Sequence, residues 1–75
     1  MEEELDAGDI IDAIPTDARD GLIQVTKIGS PWNFAIQYAP GSDEEMVKAL
    51  EAIEEKFPSQ EIFKSSTMLV LRDGM

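Results

Sequence analysis

Residues 40–58 read PGSDEEMVKALEAIEEKFP, and this stretch decides the fold. Ser42 is placed to cap a helix, and Glu45 stands three residues later to return the hydrogen bond, the pairing of a capping box. Met46, Leu50, Ile53 and Phe57 then recur at steps of four, three and four residues, so they share one face of a 3.6-period helix. Pro40-Gly41 precedes the start, and Pro58 cannot donate the backbone bond that a further turn would need. The spacing predicts an amphipathic helix from Ser42 to Phe57, and its apolar face needs a layer to pack on.

That layer is legible on both sides of the helix. Leu22 to Ile28 is rich in β-branched residues and predicts a strand with Ile23 and Val25 on one face. Gly29-Ser30-Pro31 marks a turn. Trp32 to Ala39 alternates, with Trp32, Phe34, Ile36 and Tyr38 on one side, so the two strands form an antiparallel hairpin that offers an aromatic row to the helix. After the helix, Met68, Leu69, Val70 and Leu71 build a strand over Thr67 to Arg72, one covered on both faces or central in its sheet.

The fold class expected is therefore α+β: a small single-layer β-sheet of three to four strands in β-β-α-β order, packed against one amphipathic helix. Glu61 to Lys64 is a candidate extra edge strand, and an acidic N-terminal segment precedes the whole. The strands before and after the helix are candidates for parallel neighbours joined by a right-handed crossover. Leu22, Ile28 and part of Leu69 and Leu71 would then lie on the second face of the sheet. The N-terminal segment, a second copy of the chain or a partner could cover them.

The chain divides into an acidic segment, 1–20, and an α+β domain, 21–75. The first holds eight acids and one base, Arg19. Among them lie Leu5, Ile10, Ile11 and Ile14, closed off by Pro15. The three isoleucines would share a helical face, with Asp6 or Asp9 as N-cap. A piece this short is not helical alone, so it either packs on the domain or serves as a tail that docks on a partner.

Composition limits the functions available. The 75 residues make one domain with a small core. The chain has no Cys and no His, so it lacks thiol chemistry and the commonest general base and zinc ligand. No glycine-rich phosphate loop or nucleophile elbow occurs, and the hydroxyls lack a recognisable activating base. Asp6, Asp9 and Asp12, or Glu51, Glu54 and Glu55, could gather round a cation. No segment, however, has the alternating ligands of a calcium loop, so no cofactor or metal is expected. A cysteine-free chain with no membrane-length apolar run and an acidic start is expected to be soluble, unprocessed and cytoplasmic.

Sixteen acids against six bases give a net charge of −10. Such a chain repels phosphate backbones and anionic membranes, and its natural complement is a basic protein surface. On the outer face of the helix, Asp43, Glu44, Glu45, Glu51, Glu54 and Glu55 face only Lys48 and Lys56. Glu44 and Lys48 form a favourable i,i+4 pair. Glu51, Glu54 and Glu55 lie toward the negative end of the helix dipole, where stability alone would prefer bases. Strand, capped acidic helix and two closing strands resemble many small α/β proteins, short viral reading frames among them, and imply no activity.

These observations predict a non-enzymatic acidic protein-binding module, with Asp6, Asp9, Asp12, Glu44, Glu51, Glu54 and Glu55 meeting a basic partner. In its sharpest form it is an inhibitor or regulator whose carboxylates imitate nucleic acid in a basic groove. The alternative is a structural or assembly subunit that self-associates through its sheet face or edge.

Overall fold

The computed structural model describes residues 6–29 and 31–74. Leu5 of the N-terminal apolar set and Ser30 of the predicted turn lie outside the described residues. In chain order the elements are α1 (Ala7–Ala13), a 3-10 turn (Thr16–Ala18), β1 (Leu22–Gly29), β2 (Trp32–Tyr38), α2 (Asp43–Lys56), β3 (Gln60–Lys64) and β4 (Met68–Asp73). They make a small α+β domain: one antiparallel sheet of order β1-β2-β4-β3, with α2 packed on it and α1 against α2.

The hairpin forms as expected, with Val25 opposite Ile36 and Lys27 opposite Phe34. β3 is the extra edge strand, paired with β4 through Ile62 opposite Leu71 and Phe63 opposite Val70. The expected parallel neighbours are not found. β2 and β3 do run the same way, but β4 lies between them and pairs antiparallel with both. The reason is the link from β3 to β4, which is only Ser65 to Thr67 and is closed by the Ser65 N–H donating to the Met68 carbonyl at 2.7 Å. So short a link can only reverse the chain.

The core lies between the helices and one face of the sheet. Phe34, Ile36, Tyr38, Leu69 and Leu71 supply the sheet side, and Met46, Ala49 and Ile53 the α2 side. Ile10, Ile14 and Ala18 complete the same cluster, so α1 and the 3-10 turn after it dock on the domain. Ile14 is extended (φ −84°, ψ 124°), as the residue before a proline prefers, and this ends α1. Arg19 Nε then donates to the Ile14 carbonyl at 2.9 Å. Tyr38 reaches across from β2, its hydroxyl donating to the Ala18 carbonyl at 2.5 Å.

The expected face of α2 packs on the core: Met46 and Ile53 are fully buried with Ala49 beside them, and Leu50 and Phe57 are partly buried against the same cluster. Four local expectations need correction. Ser42 makes no side-chain cap bond. Its hydroxyl instead lies against Gly21, whose φ of +85° and missing Cβ make room for it. Trp32 leaves the aromatic row: an irregularity between Trp32 and Phe34 sets Trp32 opposite Arg72, on the face away from the helices. A similar shift between Leu22 and Gln24 brings Leu22 to the core and leaves Ile23 57% exposed. Leu69 and Leu71 likewise face the helices, not the second face.

Candidate functional site

The fold sorts the charge. The helices with their flanking turns, residues 6–20 and 40–59, carry eleven acids against three bases. The four strands carry two acids, Glu61 and Asp73, against three bases, Lys27, Lys64 and Arg72. Sequence alone places acids and bases in order; packing α1 and α2 on the same side of the sheet turns that order into an acidic layer.

Within this layer Asp6, Asp9 and Asp12 belong to α1 and its cap, and all three are exposed. Glu44, Glu51, Glu54 and Glu55 are exposed on α2. Glu51 and Glu55 stand one turn apart, about 6 Å along the axis. Asp9 is partly occupied locally, its Oδ2 accepting the Asp6 N–H at 3.2 Å. Lys48 does not answer Glu44 as the i,i+4 spacing suggests. Its Nζ reaches Asp17 Oδ2 at 3.0 Å, tying α2 to the 3-10 turn. The Lys48 ammonium lowers the Asp17 pKa through that hydrogen bond and its charge, and Asp17 in turn raises the Lys48 pKa. The pair is solvated, so it orients the turn more than it stabilises it.

Among the described residues no helix packs on the opposite face of the sheet. Directly paired residues share a face, so the register fixes its rows. Glu61, Arg72 and Trp32 form one end, Phe63, Val70 and Ala35 the middle, and Met68 and Gln37 the other end. Arg72 lies over both rings, 5.5 Å from the Trp32 centroid and 5.8 Å from that of Phe63. The two rings meet edge to face at 5.7 Å and 64°. Arg72 also pairs with Glu61 at 3.4 Å, so the charges on this face cancel. Phe63 nevertheless remains 47% exposed.

This cluster was not singled out in the sequence. Phe63 and Arg72 share the out-facing parity of their strands, which is readable, but Trp32 joins them only through the irregularity in β2. At the same end of the sheet, on the core side, Asn33 Nδ2 donates to Gln60 Oε1 at 2.7 Å and to Asp73 Oδ1 at 3.2 Å. Gln60 Nε2 donates to the same Asp73 oxygen at 3.2 Å. This network closes the end of the core and joins β2 to β3 across β4.

Among the described residues no three carboxylates are placed to hold one metal ion. A hollow of about 350 Å³ beside Val47 is lined by Asp43, Glu44, Val47 and Lys48. Among the described residues all four belong to one helix, and no titratable cluster or polar group from a second element converges on it. No described helix is long and apolar enough to cross a membrane. Set against known families, curated proteins and solved structures, the chain matches none.

Proposed function

We propose that the protein is a non-enzymatic binding module whose acidic helical layer engages a basic protein surface. The observation that carries this reading is the segregation of charge, with eleven acids against three bases on the helical side and a strand layer of nearly balanced charge. Solubility would be served by acids scattered evenly, whereas a one-sided distribution creates a directed field that steers a basic partner into contact. Glu44, Glu51, Glu54 and Glu55 form the helix stripe of this surface, with Asp6, Asp9 and Asp12 beside it on α1. Carboxylates at helical intervals along a rod can occupy a groove built for phosphates, so a nucleic-acid-binding protein is the favoured partner and inhibition the favoured outcome. A chain without cysteine needs no oxidising compartment, and the cytoplasm is the proposed place of action.

The test is capture of partners from an extract of the source cell with the full chain as bait, beside a Glu51→Lys/Glu55→Lys bait of the same fold. Partners should be basic, lost at high salt, and missing from the charge-reversed bait. If the reversed bait captures them equally, α2 is not the contact, and the same experiment on Asp6, Asp9 and Asp12 decides whether α1 is. Capture insensitive to salt and to both variants refutes the reading.

A further inference from the structure

We infer that Val47 is the apolar anchor of the acidic surface and receives an apolar side chain projecting from the partner between lysines or arginines, a contact that rests on the proposed function and gives it a chemistry. Val47 lies on α2 and is 42% exposed, and it belongs neither to the core cluster nor to the side chains packed on it. The hollow of about 350 Å³ opens beside it, between Asp43, Glu44 and Lys48. Lys48 sends its ammonium away to Asp17, at 3.0 Å, so it lends the hollow its aliphatic stem more than its charge.

Stability does not ask for valine here. Asp43 and Glu51 stand four residues to either side, Glu44 three before and Glu54 seven after, so all four share its side of the helix, and all are exposed. A lysine at this position would pair with acids at both i−4 and i+4, and it forms helix more readily than a β-branched residue. Burial does not ask for it either, since the core closes without it. An apolar side chain ringed by charge instead has the anatomy of a binding interface, in which a small dry centre is enclosed by a polar rim.

The ring selects the occupant. Four carboxylates repel a second copy of a chain that carries a net charge of −10. A purely apolar surface would strip water from those carboxylates and offer nothing in return. A leucine, methionine or phenylalanine flanked by bases fills the hollow and sets a cation against the acids on each side of it. Charge then brings the partner to α2, and the apolar contact fixes where along the helix it stops.

Two helical peptides of alanine and lysine, about 15 residues long and identical except for a central leucine or alanine, serve as probes against the full chain at low and high salt. The leucine peptide should bind wild type roughly fivefold more tightly, through the apolar area it buries. That ratio should hold as salt is added while both affinities fall, because screening acts on the charges alone. In Val47→Gln, which keeps charge and helix propensity, the ratio should drop to about one. Ile23→Gln, at an exposed isoleucine of β1, should leave the ratio unchanged, and Glu51→Lys/Glu55→Lys should weaken both peptides alike. The Val47 methyl resonances should shift with the leucine peptide and hold their place with the alanine one. Equal binding of the two peptides to wild type overturns the anchor and leaves the acidic surface standing; a ratio that survives Val47→Gln overturns it too. A chain that binds neither peptide at low salt overturns the proposed function, and the anchor with it.

Discussion

Tyr38 is the sole tyrosine of the chain, and its hydroxyl is the one hydrogen bond described between the sheet and the 3-10 turn. Replacing it with phenylalanine keeps the ring, which is 1% exposed, and removes the proton donated to the Ala18 carbonyl. Ala18 is itself fully buried, so its carbonyl loses a partner that water cannot readily replace. An orphaned buried acceptor costs about 1–3 kcal/mol. Against a total of roughly 4–11 kcal/mol for a chain of this length, that is a large fraction. Alkaline pH provides a reading of the burial of the same side chain. Burial, helped by the negative charge of Glu45, pushes the Tyr38 pKa up to about 12. In the unfolded chain the hydroxyl ionises near pH 10. The stabilisation is therefore fully present below about pH 10 and is lost as pH rises toward 12.

Urea unfolding of wild type and Tyr38→Phe, followed by circular dichroism from neutral to strongly alkaline pH, measures both effects. Wild type should be the more stable at neutral pH, and its advantage should shrink above about pH 10, because only wild type carries the buried phenol. The reasoning is refuted if phenolate absorbance appears near pH 10 while the protein is still folded, or if the two proteins unfold alike at neutral pH.

Three further outcomes can be checked by the same unfolding measurements. Ile14→Ala, in the docked N-terminal segment, should cost about 2–5 kcal/mol, as for any core isoleucine; a cost under about 0.5 kcal/mol would mean that α1 does not belong to the cooperative unit. Gly21→Ala should destabilise more than Gly41→Ala: both need positive φ, worth about 1–2 kcal/mol, but only at Gly21 does the new Cβ collide with the Ser42 hydroxyl, and equal costs would refute the packing there. Ser42→Ala should change stability by less than about 0.5 kcal/mol, since no cap bond is lost; a cost near 1 kcal/mol would restore the capping role.

The helix and the strands were legible because their signals are local. Met46, Ile53 and the Pro58 stop specify α2, and alternation specifies the run from Phe34 to Tyr38. What sequence could not provide was the face each residue takes. Trp32 and Ile23 break parity at irregularities that contain no glycine or proline themselves. Ser42 carries every local sign of a cap, yet a tertiary neighbour, Gly21, claims its hydroxyl. Strand order depended on the length of the β3–β4 link, which outweighed the helix crossover. The acidic residues were legible as composition, but their collection on one side required knowing that α1 packs beside α2. The Trp32–Arg72–Phe63 cluster draws on three strands, so no single stretch announces it.

Among the described strands β4 comes last in sequence yet lies inside the sheet. β3 can find its hydrogen-bonding partner only in Met68–Asp73, and β2 gains its second neighbour there as well. During synthesis the hairpin and α2 must therefore wait, half-covered, until those residues leave the ribosome. A premature stop before Met68 removes the keystone rather than an edge, and such a fragment is a substrate for proteases instead of a smaller version of the domain.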